Sequence, residues 1–186
     1  MKKIVAIVGD ASIEEGGLKE RLAYETGRLL VENGYRVQSG GLKGVMNAAF
    51  RGAKDASSYR EGDTLAIVPS FDRTAASEHA DIVVATGLDV YRNVIVANAD
   101  AVIAIGGGAG TLSEIASAWA LKRLVVGFSN VNGWSAKLAG QRVDERNRYP
   151  SIPDDRVYEV TSAEEAVAVI NEKIALYDCA YKGIRD

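Results

Sequence analysis

The sequence is poor in cysteine and histidine, with one residue of each. A single thiol, Cys179, cannot form an internal disulfide, and the one histidine, His79, lies far from it in the sequence. We therefore interpret Cys179 as a structural or incidental thiol, and the cysteine content does not indicate secretion. No cluster of metal-ligating residues is visible, so we expect neither a metal nor a cofactor.

A basic excess and a long apolar run are also missing. The net charge is −3, whereas a general nucleic-acid surface needs an excess of lysine and arginine. A small anion can still be bound by local dipoles. No apolar stretch reaches membrane-spanning length, and the run at residues 4–8 is too short for a signal peptide but suits a buried strand. We expect a cytoplasmic protein with no nucleic-acid and no membrane partner.

Short β-branched runs alternate with helical patterns along one uninterrupted domain, residues 1–186. The predicted strands cover residues 4–8, 35–38, 64–68, 81–85, 101–105, 124–128 and 157–160, and the predicted helices cover 17–33, 45–56, 88–99, 111–121 and 162–177. Several strands are nearly continuous apolar runs, which indicates burial on both faces. The pattern predicts the α/β class, as a Rossmann-like three-layer α/β/α sandwich with a mostly parallel sheet.

Glycines follow four of the predicted strands, directly or after one residue, at Gly9, Gly40–Gly41, Gly87 and Gly106–Gly108. Glycine often ends a strand for conformational reasons alone. Four clusters at one edge of a parallel sheet nevertheless favour a shared ligand site, because ligands bind there in this architecture. Gly9 and the segment Ser39-Gly40-Gly41, which leads into a helix, are therefore candidate binding residues.

The strongest signal is the strand at residues 101–105, which runs into Gly106-Gly107-Gly108-Ala109-Gly110-Thr111 and then into a helix. Glycines let the backbone approach a ligand, and a helix N-terminus offers free N–H groups, so this segment predicts a phosphate site. The spacing is not the dinucleotide fingerprint, and Thr111 stands where a P-loop needs lysine. We expect a mononucleotide-sized or sugar-phosphate ligand on Gly107, Gly108, Gly110 and Thr111.

Two charged residues flank this loop in the sequence. Glu114 lies one turn into the helix, where a carboxylate either complements the helix dipole or faces the ligand's sugar. Arg92 either pairs with Asp89 on a solvated face or begins a buried helix at the ligand edge. The absence of charge at residues 93–99 favours the second interpretation of Arg92.

Two other parts of the sequence lead to predictions, one about subunit assembly and one about a charged loop. The helix segment 115–121 and residues 94–97 are uncharged, which predicts a homodimer, or a higher homo-oligomer, with Trp119 near the centre of its interface. The segment 141–156 holds eight charged residues and two prolines. It is either a solvated loop or a mobile flap near the site, and we favour the solvated loop.

Three segments together resemble the LOG-like (SLOG) Rossmann superfamily: Gly40–Met46, Arg92–Asn93 and Gly107–Glu114. The resemblance spans residues 4 to about 128. The best-known members are the LONELY GUY proteins, cytokinin riboside 5′-monophosphate phosphoribohydrolases, and relatives have carried the label "possible lysine decarboxylase". The resemblance implies that the glycine loop binds phosphate and that Arg92 and Glu114 serve cleavage of an N-glycosidic bond.

Three positions depart from that family pattern. Gly106 stands where the loop usually opens with proline, Asn93 where lysine follows the arginine, and Ser113 where a first glutamate precedes Glu114. These variants look more like a sister branch of uncharacterised proteins that includes molybdenum-cofactor carriers.

The resulting expectation is a nucleoside 5′-monophosphate phosphoribohydrolase that releases the base and ribose 5-phosphate. The alternative is a non-catalytic carrier or sensor of a nucleotide or of a molybdenum (pterin-phosphate) cofactor, bound on the same loop. A decarboxylase ranks third, because it needs pyridoxal phosphate on a lysine and only Lys43 lies near a strand end.

Overall fold

A computed structural model describes residues 1–178, so Cys179 lies outside the described part of the chain. The strands are β1 Ile4–Gly9, β2 Arg36–Ser39, β3 Thr64–Val68, β4 Ile82–Ala85, β5 Ala101–Ile105, β6 Leu124–Phe128 and β7 Tyr158–Val160. The helices are α1 Leu18–Glu32, α2 Val45–Lys54, α3 Asn93–Ala97, α4 Ala109–Ala120, α5 Trp134–Leu138 and α6 Ala163–Lys173. Short 3₁₀ turns cover Arg73–Ala75 and Asp89–Arg92.

The strands form one sheet in the order β4-β3-β2-β1-β5-β6-β7, and every pairing is parallel. Alternate residues of the central strands enter two separate cores. On β5, Ile103 and Ile105 pack with α1, α2 and α6, whereas Val102 and Ala104 pack with α3 and α4. This double burial explains the continuous apolar strands. The predicted α/β class and three-layer arrangement are confirmed.

The strand order reverses between β1 and β5, because β2 to β4 extend to one side of β1 and β6 and β7 extend beyond β5 on the other. In a doubly wound sheet the crevice outside the carboxyl ends of such strands is the usual ligand site. The loops that follow β1 and β5 therefore meet at this crevice.

The predicted helix at residues 88–99 is wrong as a single element. It is a 3₁₀ turn followed by the five-residue α3. Asp89 has a left-handed backbone, with φ of 51°, which an α-helix cannot include. Arg92, Asn93 and Val96 are buried, while Asp89 is exposed. The interpretation of Arg92 as the start of a buried segment agrees with this geometry.

The expectation of a solvated loop at 141–156 agrees with the exposure of most of its residues and is wrong for four of them. The side chains of Arg148, Tyr149, Ile152 and Asp155 are buried. The Arg148 guanidinium donates to Asp155 through Nε at 2.8 Å and through Nη2 at 2.5 Å. Counting charges along the sequence could not show that Arg148 and Asp155 form a buried ion pair.

The same segment covers Trp119. The Arg148 guanidinium lies 3.5 Å from the centroid of the indole ring, and the indole N–H donates to Asp144 at 3.0 Å. Trp119 is 0% exposed within the chain. The prediction that Trp119 lies at the centre of a subunit interface is therefore wrong.

No helix in residues 1–178 combines the length and the apolar character needed to cross a membrane.

Candidate ligand-binding site

The loop between β5 and α4 has a backbone that only glycine adopts readily. Gly106 has φ of 68° and Gly107 has φ of 94°, both in the left-handed region. A Cβ on Gly107 would lie 2.2 Å from Oγ1 of Thr111. The proline that opens the loop in the resembling family has φ near −65° and cannot adopt the conformation of Gly106. The backbone at Gly106 therefore excludes proline from this position in the present loop.

Residues at the start of α5 hold the loop in place. The Gly106 amide donates to Oγ of Ser135 at 2.7 Å, and that hydroxyl donates to the carbonyl of Phe128 at 2.8 Å. The amides of Trp134 and Ser135 donate back to the carbonyls of Gly107 and Gly106. Ser135 is fully buried. Sequence reasoning missed this residue, because α5 is only five residues long and its partner loop lies 29 positions away.

The N-terminus of α4 is open. The N-cap residue Gly108 has no side chain to accept a hydrogen bond, and Gly108, Ala109 and Gly110 are exposed. The first intrahelical bond from this end runs from the Leu112 amide to the Gly108 carbonyl, so the amides of the three preceding residues have no partner within the helix. These N–H groups, together with the positive end of the helix dipole, are a candidate site for an anion.

Asp10 is a site residue that the sequence analysis did not identify. Its Oδ2 accepts from the Gly107 amide at 2.9 Å and from Nζ of Lys19 at 2.5 Å. The carboxylate thus already satisfies the Gly107 amide, as Ser135 satisfies that of Gly106, and a ligand phosphate is left with the amides that follow. The only sequence signal was the position of Asp10 directly after Gly9 at the end of β1.

Arg92 and Glu114 face each other beneath the opening. Nη1 of Arg92 lies 3.7 Å from Oε1 of Glu114, and both side chains are about 90% buried. Burial raises the pKa of Glu114 to about 7, and the attraction of the guanidinium limits the rise. Within residues 1–178, Nε and Nη1 of Arg92 are buried and have no hydrogen-bond acceptor. Such unpaired buried donors are costly, and a ligand oxygen could accept from this guanidinium.

These groups line one cleft of about 260 Å³. Its lining residues are Gly9, Asp10, Ala11, Leu42, Met46, Arg92, Asn93, Gly108, Gly110, Thr111 and Glu114. We call it the ligand cleft. Six of the ten predicted site residues are among them: Gly9, Arg92, Gly108, Gly110, Thr111 and Glu114.

The other four predicted residues, Ser39, Gly40, Gly41 and Gly107, lie behind the lining. Oγ of Ser39 is buried and accepts from the Gly41 amide at 3.0 Å. A Cβ on Gly40 would lie 2.6 Å from Nη1 of Arg92. Gly40 therefore makes room for the guanidinium, and Ser39 shapes the turn that carries Gly40.

Within residues 1–178, no group of three or more histidine, cysteine, aspartate or glutamate residues could hold a metal ion. The fold is that of a doubly wound α/β protein, and its candidate anion site lies at the first turn of α4. The chain belongs to the SLOG cluster4 family, whose model matches residues 2–167. The predicted membership of the LOG-like (SLOG) superfamily is confirmed.

Three relatives illustrate the similarity. An uncharacterised protein of Archaeoglobus fulgidus is 39% identical over 115 residues, which are 61% of this chain and 72% of the relative. The molybdenum cofactor binding protein of the phototrophic bacterium Rippkaea orientalis is 29% identical, with a TM-score of 0.74 and coverage of 94% and 98% of the two chains. The molybdenum cofactor carrier protein of Chlamydomonas reinhardtii is 26% identical, with a TM-score of 0.73 and coverage of 94% and 99%.

Proposed function

We propose that this protein binds a phosphorylated small molecule without cleaving it, as a carrier or sensor of a nucleotide or of a pterin-phosphate molybdenum cofactor. One observation carries the proposal: the uncapped N-terminus of α4 opens into the same cleft as the buried, unsatisfied guanidinium of Arg92. The relatives that are described as binding or carrying molybdenum cofactor support a cargo of this chemistry.

The ligand phosphate takes the amides of Ala109, Gly110 and Thr111. A phosphate at a helix N-terminus gains several N–H donors and the helix dipole at once. The Arg92 guanidinium, held against Gly40, supplies further donors to a second oxygen group of the ligand. Both contacts are made in the ground state, so they give affinity rather than rate.

Hydrolysis of a nucleoside monophosphate is the second candidate, because Arg92 and Glu114 pair inside the cleft. Stabilising positive charge on a ribose requires an ionised carboxylate. With the pKa of Glu114 near 7, a substantial fraction of this carboxyl is protonated at neutral pH. A pKa raised in this way is also typical of the carboxylic acid that protonates the leaving group in glycoside hydrolysis, so the preference for a carrier rests on the described roles of the relatives and not on this pKa.

The test is a calorimetric titration with ribose 5-phosphate, AMP and GMP, which share a phosphate and differ in the base. We expect saturable binding that Arg92→Met weakens by roughly tenfold or more, since a buried charged hydrogen bond is lost. Arg142→Met, at an exposed arginine outside the cleft, is the control. The absence of binding for every probe, or equal affinities for wild type and Arg92→Met, would overturn the proposal.

The predicted homodimer is retained as a proposal on the second of its two predicted surfaces, which includes part of residues 94–97. Val90 and Tyr91 on the 3₁₀ turn and Val94 and Ile95 on α3 are exposed and uncharged. An apolar group of this kind beside a site commonly marks a subunit interface. We propose that a second copy of the chain covers it, and Trp119 takes no part.

A further inference from the structure

A second cleft of about 410 Å³ opens at the same edge of the sheet. It lies between the loop after β1, the start of α1 and the loop after β6, and its lining includes Ile13, Leu18, Lys19, Asn130, Val131 and Asn132. We call it the side cleft. Nothing in the proposed phosphate and guanidinium contacts uses it.

The two clefts are consecutive along the chain. Residues 9–11 line the ligand cleft, and residues 12–14 line the side cleft. The Asp10–Lys19 ion pair stands at the junction, because Asp10 lines the first cleft and Lys19 lines the second. The two clefts therefore adjoin at this ion pair.

Gly106 makes this junction possible. A Cβ at this position would lie 2.3 Å from Oδ2 of Asp10 and 2.8 Å from Nζ of Lys19. No side chain can occupy that place while the ion pair lies over the loop. Glycine at position 106, where the resembling family has proline, therefore leaves room for Lys19 to lie between the two clefts.

Size and chemistry indicate what the side cleft accepts. The ligand cleft alone, at about 260 Å³, is smaller than ordinary sites for drug-sized ligands, which start at about 300 Å³. The side cleft combines apolar surface from Ile13, Leu18 and Val131 with the amide groups of Asn130 and Asn132. Apolar faces and hydrogen-bonding edges are the features of a planar nitrogen heterocycle.

We propose that the side cleft binds the heterocyclic end of the same phosphorylated ligand, whose linker crosses Gly106 beside the Lys19 ammonium. This inference rests on the proposed function, since it requires a phosphate on α4. The ligand class it names is a phosphorylated heterocycle with an amide-like edge, such as guanine or a pterin. Asn130 donates Nδ2 to the Thr161 carbonyl at 2.7 Å, which holds its side chain in one orientation.

The test compares GMP with ribose 5-phosphate by calorimetry, because the two share the phosphate and sugar and differ in the heterocycle. For wild type we expect GMP to bind roughly tenfold more tightly or better, from the ring surface that becomes buried. Two variants fill the side cleft at its exposed rim, Asn132→Trp and Ser12→Trp. Each should remove the GMP advantage and leave the affinity for ribose 5-phosphate unchanged. Ser57→Trp, at an exposed serine outside both clefts, should change neither affinity.

The outcomes distinguish a failure of this inference from a failure of the proposed function. If neither probe binds wild type, the proposed function fails. If both probes bind equally to wild type, or if GMP keeps its advantage in both filling variants, the inference fails while the phosphate site stands. Circular dichroism of each variant confirms the fold, and two independent filling positions keep the test decisive if one of them misfolds.

Discussion

The Asn93 amide donates to the Ser113 hydroxyl at 2.7 Å. These two residues are separate departures from the resembling family, which has lysine and glutamate at the corresponding positions. The Ser113 hydroxyl in turn donates to the Gly110 carbonyl at 2.7 Å. Asn93 and Ser113 therefore form one neutral hydrogen bond where the resembling family has two opposite charges. This hydrogen bond lies beside the opening of the ligand cleft.

A double-mutant cycle tests this pairing. Asn93→Lys places an ammonium at a buried position next to Arg92, and Ser113→Glu places a carboxylate next to Glu114. Each single variant should be less stable than wild type. The double variant should lose less free energy of unfolding than the sum of the two single losses, by about 1 kcal/mol or more. Urea denaturation measures the coupling. Additive effects within error would show that the two positions are independent.

The pKa of Glu114 predicts how stability depends on pH. The pKa is about 7 in the folded chain and 4.5 in the reference state, so the folded state binds this proton more tightly. Its contribution to stability is complete below about pH 4.5 and is lost as the pH rises through about 7. The loss amounts to about 3 kcal/mol.

Glu114→Gln isolates this contribution, because glutamine keeps the shape and does not titrate. Denaturation of the two proteins at pH 4.5, 6 and 8 should show wild type losing stability relative to the variant as the pH rises. A stability difference that stays constant across this range would place the pKa of Glu114 outside it.

The first turn of α4 can be tested without disturbing the fold. A Cβ on Gly110 would meet only Nδ2 of Asn93, at 3.9 Å, so the chain itself leaves room for Gly110→Val. We expect this variant to lose at least about tenfold in affinity for ribose 5-phosphate because its side chain occupies the phosphate position. Ala120→Val, at the exposed last residue of the same helix, is the matched control. Unchanged affinity in the Gly110 variant by calorimetry would remove this turn from the site.

The proposed dimer surface gives a prediction about assembly. Ile95→Lys places a charge in the exposed group on α3 and should yield a folded monomer, because an unpaired charge is costly in a buried interface. Leu176→Lys changes an equally apolar exposed residue beyond α6 and should leave the assembly unchanged. Light scattering after size-exclusion chromatography measures both. A dimer that survives Ile95→Lys would exclude this face.

The sequence predicted the sheet and its glycine loop because both depend on local patterns. Continuous apolar runs define the strands, and a strand, a glycine run and a helix define the phosphate loop. Asp10 could not be predicted in the same way. Its contact with the Gly107 amide spans 97 positions and depends on which loops the strand order brings together. The burial of Trp119 by Arg148 is a similar case, since a charge count does not show which charges pair.

The most direct measurement is a single-turnover experiment with wild type in excess over radiolabelled AMP and GMP at neutral pH, at concentrations where titration shows the nucleotide to be bound. The account predicts that the nucleotide is recovered intact after prolonged incubation, because the proposed contacts to the first turn of α4 and to Arg92 hold the bound ligand in its ground state. Stoichiometric release of base and ribose 5-phosphate by wild type, slowed by roughly a hundredfold in Glu114→Gln, would contradict the carrier account and establish hydrolysis.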